Sequence, residues 1–464
     1  VTRTTVNNSI LNVVRSELAQ AVREGSVSPL DLVNEALARI EAASDLNAVT
    51  VTFPEAAREV AARHSRVGPL AGLPLLVKDM VRVQGHVTTM GSQLFTDAPP
   101  DNDTDVIITR LTNAGAIIVG RTNTPEFGAT AYTDNLVYGA TRNPWNMSMS
   151  PGGSSGGSAS ALAAGLVPLA TTSDGGGSVR GPAAAVGLVG YKPTMGLIGR
   201  NFSARWIGFS MQGCTAATVD DVILEASVVF GVANGDYMSS PQSSVSLTPR
   251  APRRVVACRT FRDDIDPEIE AAFEATLEAL SKSGIVVERI DPPSTKATGY
   301  TWLTISTAEL VQSLRPYEER WHELTDYVQA QLNYGLRVSI DDYIAAQRSR
   351  HEITAKFDEV LTNDTVLVVP TTNSRSWTAD GPLPSAAGNV TNDPSIALNT
   401  PELNVTGHPG VSVPMGIDNN GVPCGIQIIA GRYHDDLALG LAQHIERIQP
   451  WPLTSSGYTP FSIS

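Results

Sequence analysis

Residues 150–194 read SPGGSSGGSASALAAGLVPLATTSDGGGSVRGPAAAVGLVGYKPT, two glycine–serine clusters separated by a helical run and a strand. Glycine admits backbone conformations and close approaches closed to other residues. A flexible linker is also rich in glycine and serine, but both clusters here are short and abut apolar, structure-forming segments. Asp174-Gly175-Gly176-Gly177-Ser178 follows an apolar strand and precedes a short helical run with Pro182 in its first turn. A glycine turn at a helix start presents several unpaired N–H groups to an anion, whether a phosphate or the oxyanion of an acyl-transfer intermediate. The Walker pattern and its lysine are missing, which favours the oxyanion.

The surrounding chain alternates short apolar runs, at 73–77, 116–119, 167–171, 255–258 and 366–369, with helical patterns. Continuous apolar runs mark strands buried on both faces. They predict an α/β fold, a single large domain with a mixed, mostly parallel central sheet covered by helices on both faces. Two amphipathic helices open the chain. Ser9 caps the first, with Ile10, Val13, Val14, Leu18 and Val22 at helical spacing before Gly25. Ser28-Pro29 starts the second, with Leu32, Val33, Ala36, Leu37 and Ile40 on one stripe. Near the end, 411–415 and 425–429 flank Asp418-Asn419-Asn420-Gly421, an antiparallel hairpin signal. The Pro/Ser-rich stretch 239–253 is the best candidate break, and 264–363 reads as a variable helical cover over the substrate site. The expectation is one domain spanning 1–464.

With 42% apolar and 17% charged residues among 464, the chain has the material for a large core. A formal net charge of −14 with no basic run argues against nucleic acid as a partner. Cys214, Cys258 and Cys424 are too far apart for a disulfide framework or a zinc ribbon. No stretch approaches the ~20 apolar residues of a membrane span, and there is no charged-then-apolar leader, so the expected compartment is the cytoplasm.

Lys78 ends the apolar run GLPLLVKD, where a solvated lysine has no evident reason to sit. Alone, it reads as a side chain snorkelling from a strand end. In sequence order GLPLLVKD, PGGSSGGSASALAAG and DGGGSVRGPAAAVGLVGYKPT resemble the amidase signature family, as do the segments 120–127, 139–145, 404–410 and 425–427. The resemblance implies that family's fold and a serine amidase, a hydrolase of carbon–nitrogen bonds other than peptide bonds. It implies a triad of Ser178 as nucleophile, Ser154 as cis-serine after a cis Gly153–Ser154 peptide, and Lys78 as base. It also implies an oxyanion hole from the N–H groups of Gly175, Gly176, Gly177 and Ser178. Two departures are present: Gly175 stands where the family usually has Thr, and Gly213-Cys214-Thr215-Ala216-Ala217 replaces a Gly-Pro pair followed soon by Arg.

The chemistry is consistent with these residue types. A serine hydroxyl needs a base to become a useful nucleophile. A free lysine at pH 7 is neutral in only about one molecule in 2,500, but burial beside Leu75, Leu76 and Val77 lowers its pKa toward a working range. Ser155, Asp174 and Arg180 are expected to support the site, the last two by an ion pair across the glycine turn. Ser158 is assigned to the following helix start. Candidate pocket walls are Met80, Tyr132, Phe202 and Trp206, with Tyr300, Trp302, Tyr317 and Trp321 on the cover. They suit an apolar or aryl acyl-amide, or an ester or carbamate of like shape. The expected partner is that small amide, with no nucleic acid, no membrane and no cofactor or metal, in a monomer or homo-oligomer. Two alternatives remain. One is the glutaminase subunit of a tRNA-dependent amidotransferase. The other takes Gly152-Gly153-Ser154-Ser155-Gly156 as a GxSxG elbow, with Ser154 as nucleophile and His408 or His434 as base. A metallohydrolase is disfavoured because His322-Glu323 and His351-Glu352 lack a second His at HExxH spacing.

Overall fold

The computed structural model describes residues 15–202, 205–384, 390–391 and 397–462. The first predicted helix runs Arg15–Glu24 with Leu18 and Val22 buried, while Ser9, Ile10, Val13 and Val14 lie outside the described residues. The second, Pro29–Ala42, starts as expected. Ser28 accepts a hydrogen bond from Leu30 N–H, Pro29 occupies the first turn, and Leu32, Val33, Ala36 and Ile40 are buried.

Two sheets form the body. The smaller contains β1 (Val49–Thr52), β2 (Pro74–Lys78), β3 (Ile117–Thr122) and β4 (Leu169–Ala170), in the order β1-β3-β2-β4. The larger contains β5 (Thr172–Asp174), β6 (Val189–Lys192), β7 (Met211–Ala216), β8 (Arg254–Ala257), β9 (Val287–Arg289) and β10 (Thr365–Pro370). A small ribbon of β11 (Leu383–Pro384) and β12 (Val390–Thr391) stands apart. The large sheet is completed by β13 (Gly410–Ile417) and β14 (Pro423–Ala430), giving the order β5-β7-β6-β13-β14-β10-β8-β9. Only Thr171 separates β4 from β5, so the chain passes from one sheet into the other almost without a break.

The α/β class and the mixed sheet are as predicted, but the mostly parallel pairing is corrected. In the large sheet only β8–β10 and β8–β9 are parallel, and the five other ladders are antiparallel. Parallel pairing recurs in the small sheet, at β2–β3 and β2–β4. Every residue of β10 and β14 is buried. A continuous apolar run reports helices on both faces, and that coverage is indifferent to strand direction. The hairpin signal was the better guide. Asp418 accepts from Asn420 and Val422 N–H, Gly421 takes φ +75°, and β13 pairs antiparallel with β14.

The stretch 264–363 divides. Helix Pro267–Lys282 and β9 belong to the sheet layers, since Ile269, Phe273, Leu277 and Leu280 join the main core. Helix Lys296–Leu314 lies over the site, with Trp302 and Ile305 packing on β10 residues Leu367 and Val369. Its far end, Leu310, Val311 and Leu314, packs with Phe127 and Tyr132. Among the described residues no helix is long and apolar enough to cross a membrane.

Candidate active site

Lys78 ends β2 with its side chain fully buried. Its backbone N–H donates to Thr171 Oγ1 at the crossover between the sheets. Its Nζ lies 2.8 Å from Ser154 Oγ, 3.0 Å from Ser155 Oγ and 3.0 Å from Ser173 Oγ. Burial holds the lysine pKa down, from 10.5 to about 7, against an opposing pull from the Asp174 carboxylate. A neutral amine has two hydrogens and one lone pair. In its neutral form Lys78 therefore has a lone pair free to accept a hydrogen bond from one of the three hydroxyls.

Ser154 and Ser155 immediately precede helix Gly156–Ala163. The Gly153–Ser154 peptide is cis, as the resemblance implied. Ser158 lies in the first turn of this helix, with Oγ donating to Thr171 O at 2.8 Å. It therefore ties the helix to the crossover.

The glycine turn connects β5 to helix Arg180–Val186. Asp174 and Arg180 pair as expected, fully buried, with Arg180 Nε 3.0 Å from Asp174 Oδ2 and Nη2 2.8 Å from Oδ1. Burial alone would raise the Asp174 pKa. The Arg180 charge and hydrogen bonds, with Lys192 and Asn404, outweigh it and bring the carboxyl to about 2. Arg180 reaches onward to Thr400 O, Gln427 Oε1 and Asn404 Oδ1.

These partners set the peptide planes of the turn. The carbonyls of Asp174, Gly175, Gly176 and Gly177 accept from Asn404 Nδ2, Trp302 Nε1, Thr400 Oγ1 and Gly181 N–H. In a trans peptide the N–H points opposite to the C=O. The amides of Gly175, Gly176 and Ser178 point away from those contacts and donate to no protein acceptor among the described residues. Gly177 is corrected: its N–H is already donated to Asp174 Oδ1 at 2.8 Å. It serves the turn by its φ of +126° and by its contact with Thr400, where a Cβ would overlap. Any side chain at Gly175 would collide with the Trp206 indole, and at Gly176 with Trp302. The departure at Gly175 therefore makes room for Trp206.

Ser178, Ser154, Ser173 and Gly175 open onto one cavity of about 610 Å³. The Ser178 hydroxyl makes no hydrogen bond to protein among the described residues. Met80, Phe202 and Trp206 line this cavity. Tyr132 does not. Its ring is buried edge-on against Tyr327 and beside Gly381, while its backbone abuts Gly153. Of the cover aromatics, Tyr317 lines the cavity, Trp302 braces the turn, Trp321 donates to Leu314 O, and Tyr300 is exposed. The GxSxG alternative fails on geometry. His408 is bonded to Thr406 and Asp358, His434 to Asn363, and neither lines the cavity.

Sequence reasoning missed Ser173, Thr400 and the bracing role of Trp302. Asn404 and Gln427 lie in segments that carry the resemblance, but nothing in their local sequence marks them as partners of the turn. Ser173 had one available signal: it sits next to Asp174 on the strand leading into the turn.

The family model described as Amidase matches residues 31–439. The chain is 31% identical over 461 residues to an acylamidase of Rhodococcus erythropolis, covering 94% of this chain and 95% of that one. It is 33% identical over 487 residues to a glutamyl-tRNA(Gln) amidotransferase subunit of Deinococcus deserti, covering 95% and 98%. Among solved structures it is similar to a bacterial aryl acylamidase of the amidase signature enzymes, with TM-score 0.86, 27% identity, and coverage of 95% and 96%.

Proposed function

The chain belongs to the amidase signature family, and on that premise we propose a free-standing amidohydrolase that cleaves apolar or aryl acyl-amides through an acyl-enzyme on Ser178. The observation that carries this reading is the buried Lys78 amine. It has a pKa near 7 and hydrogen-bonds Ser154, beside a glycine turn whose Gly175, Gly176 and Ser178 amides have no acceptor among the described residues.

Neutral Lys78 accepts the Ser154 proton as Ser154 accepts that of Ser178. The Ser178 hydroxyl turns toward Ser154 in the reacting arrangement, since catalytic hydrogen bonds tighten once substrate is bound. Ser178 Oγ attacks the amide carbonyl, and the oxyanion is met by the N–H groups of Gly175, Gly176 and Ser178. Such donors are worth about 10²–10³ in rate each. The relay returns the proton to the leaving amine. Water then enters by the same route and releases the acid. Met80, Phe202 and Trp206 supply apolar walls, and the same carbonyl geometry admits esters and carbamates.

The identity to an amidotransferase component supports a second reading, a glutaminase that needs partner chains. The test is turnover of chromogenic anilides, esters and carbamates by the purified chain alone, beside Ser178→Ala and Lys78→Ala. Turnover that both substitutions abolish is the expected result. Turnover that appears only with added partner chains and glutamine would replace the first reading by the second.

A further inference from the structure

Arg205 stands in the wall of the cavity that Ser178 faces, and no carboxylate contacts it among the described residues. Its guanidinium carbon lies 4.7 Å from the centre of the Phe127 ring and 5.9 Å from that of Phe95. Nη1 meets Met90 Sδ, a weak acceptor. Nε is buried without a hydrogen-bond partner among the described residues. Burial lowers its pKa to about 10, so it remains charged at neutral pH.

The acids in the same wall are committed elsewhere. Asp105 Oδ2 accepts from Arg82 N–H at 2.6 Å, and Asp101 Oδ2 from Thr88 Oγ1 at 2.6 Å. Three arginines, Arg82, Arg200 and Arg205, line the cavity with only these two aspartates, in a chain of net charge −14. Arg205 is also close to the chemistry. Phe127, beneath it, adjoins Gly128, where a Cβ would stand 3.1 Å from Ser154 Oγ. A partly buried cation without a carboxylate partner is costly, and a guanidinium presents paired N–H groups that match a carboxylate.

We propose that Arg205 selects the substrate by binding a carboxylate, so that the preferred amide has an apolar or aryl body and carries one acidic group. This rests on the amidohydrolase reading above, and it names the substrate class for that site.

The test compares two substrate pairs that put the carboxylate on either side of the amide. They are succinic acid mono-4-nitroanilide against 4-methylpentanoic acid 4-nitroanilide, and 4-acetamidobenzoate against 4-acetamidobenzamide. For at least one pair the wild type should favour the acid in kcat/KM. Arg205→Met should lower that acid-to-neutral ratio about 10- to 100-fold, the span expected for a hydrogen bond to a charged group. Arg205→Lys should keep part of the preference. A structural role would depress both members of a pair alike and leave the ratio unchanged, which overturns the proposal. Preference for the neutral amide in both pairs also overturns it, while leaving the amidohydrolase reading intact. Calorimetric binding of the two acids to Ser178→Ala protein, with and without Arg205→Met, reads the same contact without turnover. Equal affinity in the two proteins overturns the proposal even if no amide is cleaved.

Discussion

The acid limb of the pH–rate profile measures the Lys78 base directly. An ordinary lysine, with a pKa of about 10.4, is neutral at pH 7 in about one molecule in 2,500. Full burial brings Lys78 to about 7, so about half are neutral. That change corresponds to roughly 5 kcal/mol of penalty against the charged form, with Asp174 the charge that opposes it. Because the neutral amine is the active form, kcat/KM rises with pH through about 7 and levels off above 8. Below the midpoint it falls about tenfold per pH unit, to about 100-fold below the plateau at pH 5. The assay is release of 4-nitroaniline from a neutral anilide between pH 5 and 10, so that substrate ionisation does not enter. A limb centred near 10, or no limb at all, would refute the argument that burial of Lys78 creates the base.

Two further perturbations test the turn. Trp302→Phe keeps a ring against Gly176 but removes the donor to Gly175 O, and with it the constraint on the Gly176 N–H; kcat should fall about tenfold with little change in KM, and a loss confined to KM would contradict the assigned role. Arg180→Met strands the Asp174 carboxylate and should cost about 3–5 kcal/mol in urea unfolding. The Asp174 pKa is depressed from 3.8 to about 2, so its contribution is present above about pH 4 and lost as pH falls through 2; a cost below about 1 kcal/mol in Arg180→Met would show that the pair does not anchor the turn.

Much of the site was legible because it breaks local patterns. Lys78 is a charge at the end of an apolar strand, the glycine clusters interrupt structure-forming segments, and Asp174 and Arg180 bracket a turn that needs holding. What stayed hidden depends on distant segments meeting. Trp302, Thr400, Asn404 and Gln427 converge on the turn from elsewhere in the chain, and local periodicity reports only which face of an element is buried, not what it is buried against. Tyr132 misled for the same reason: an aromatic beside the site reads alike whether its ring faces the cavity or, as here, packs on Tyr327. Strand direction was misjudged because apolar runs record coverage by helices, whereas the turn at 418–421 records connectivity.

The most direct test of the central claim is to trap the acyl-enzyme. The protein is incubated with an activated aryl carbamate, whose carbamoyl-enzyme hydrolyses slowly, then digested and read by mass spectrometry. The account predicts one added carbamoyl group on Ser178, absent from Lys78→Ala. An adduct on Ser154, or labelling of Ser178 that is indifferent to Lys78, would contradict it.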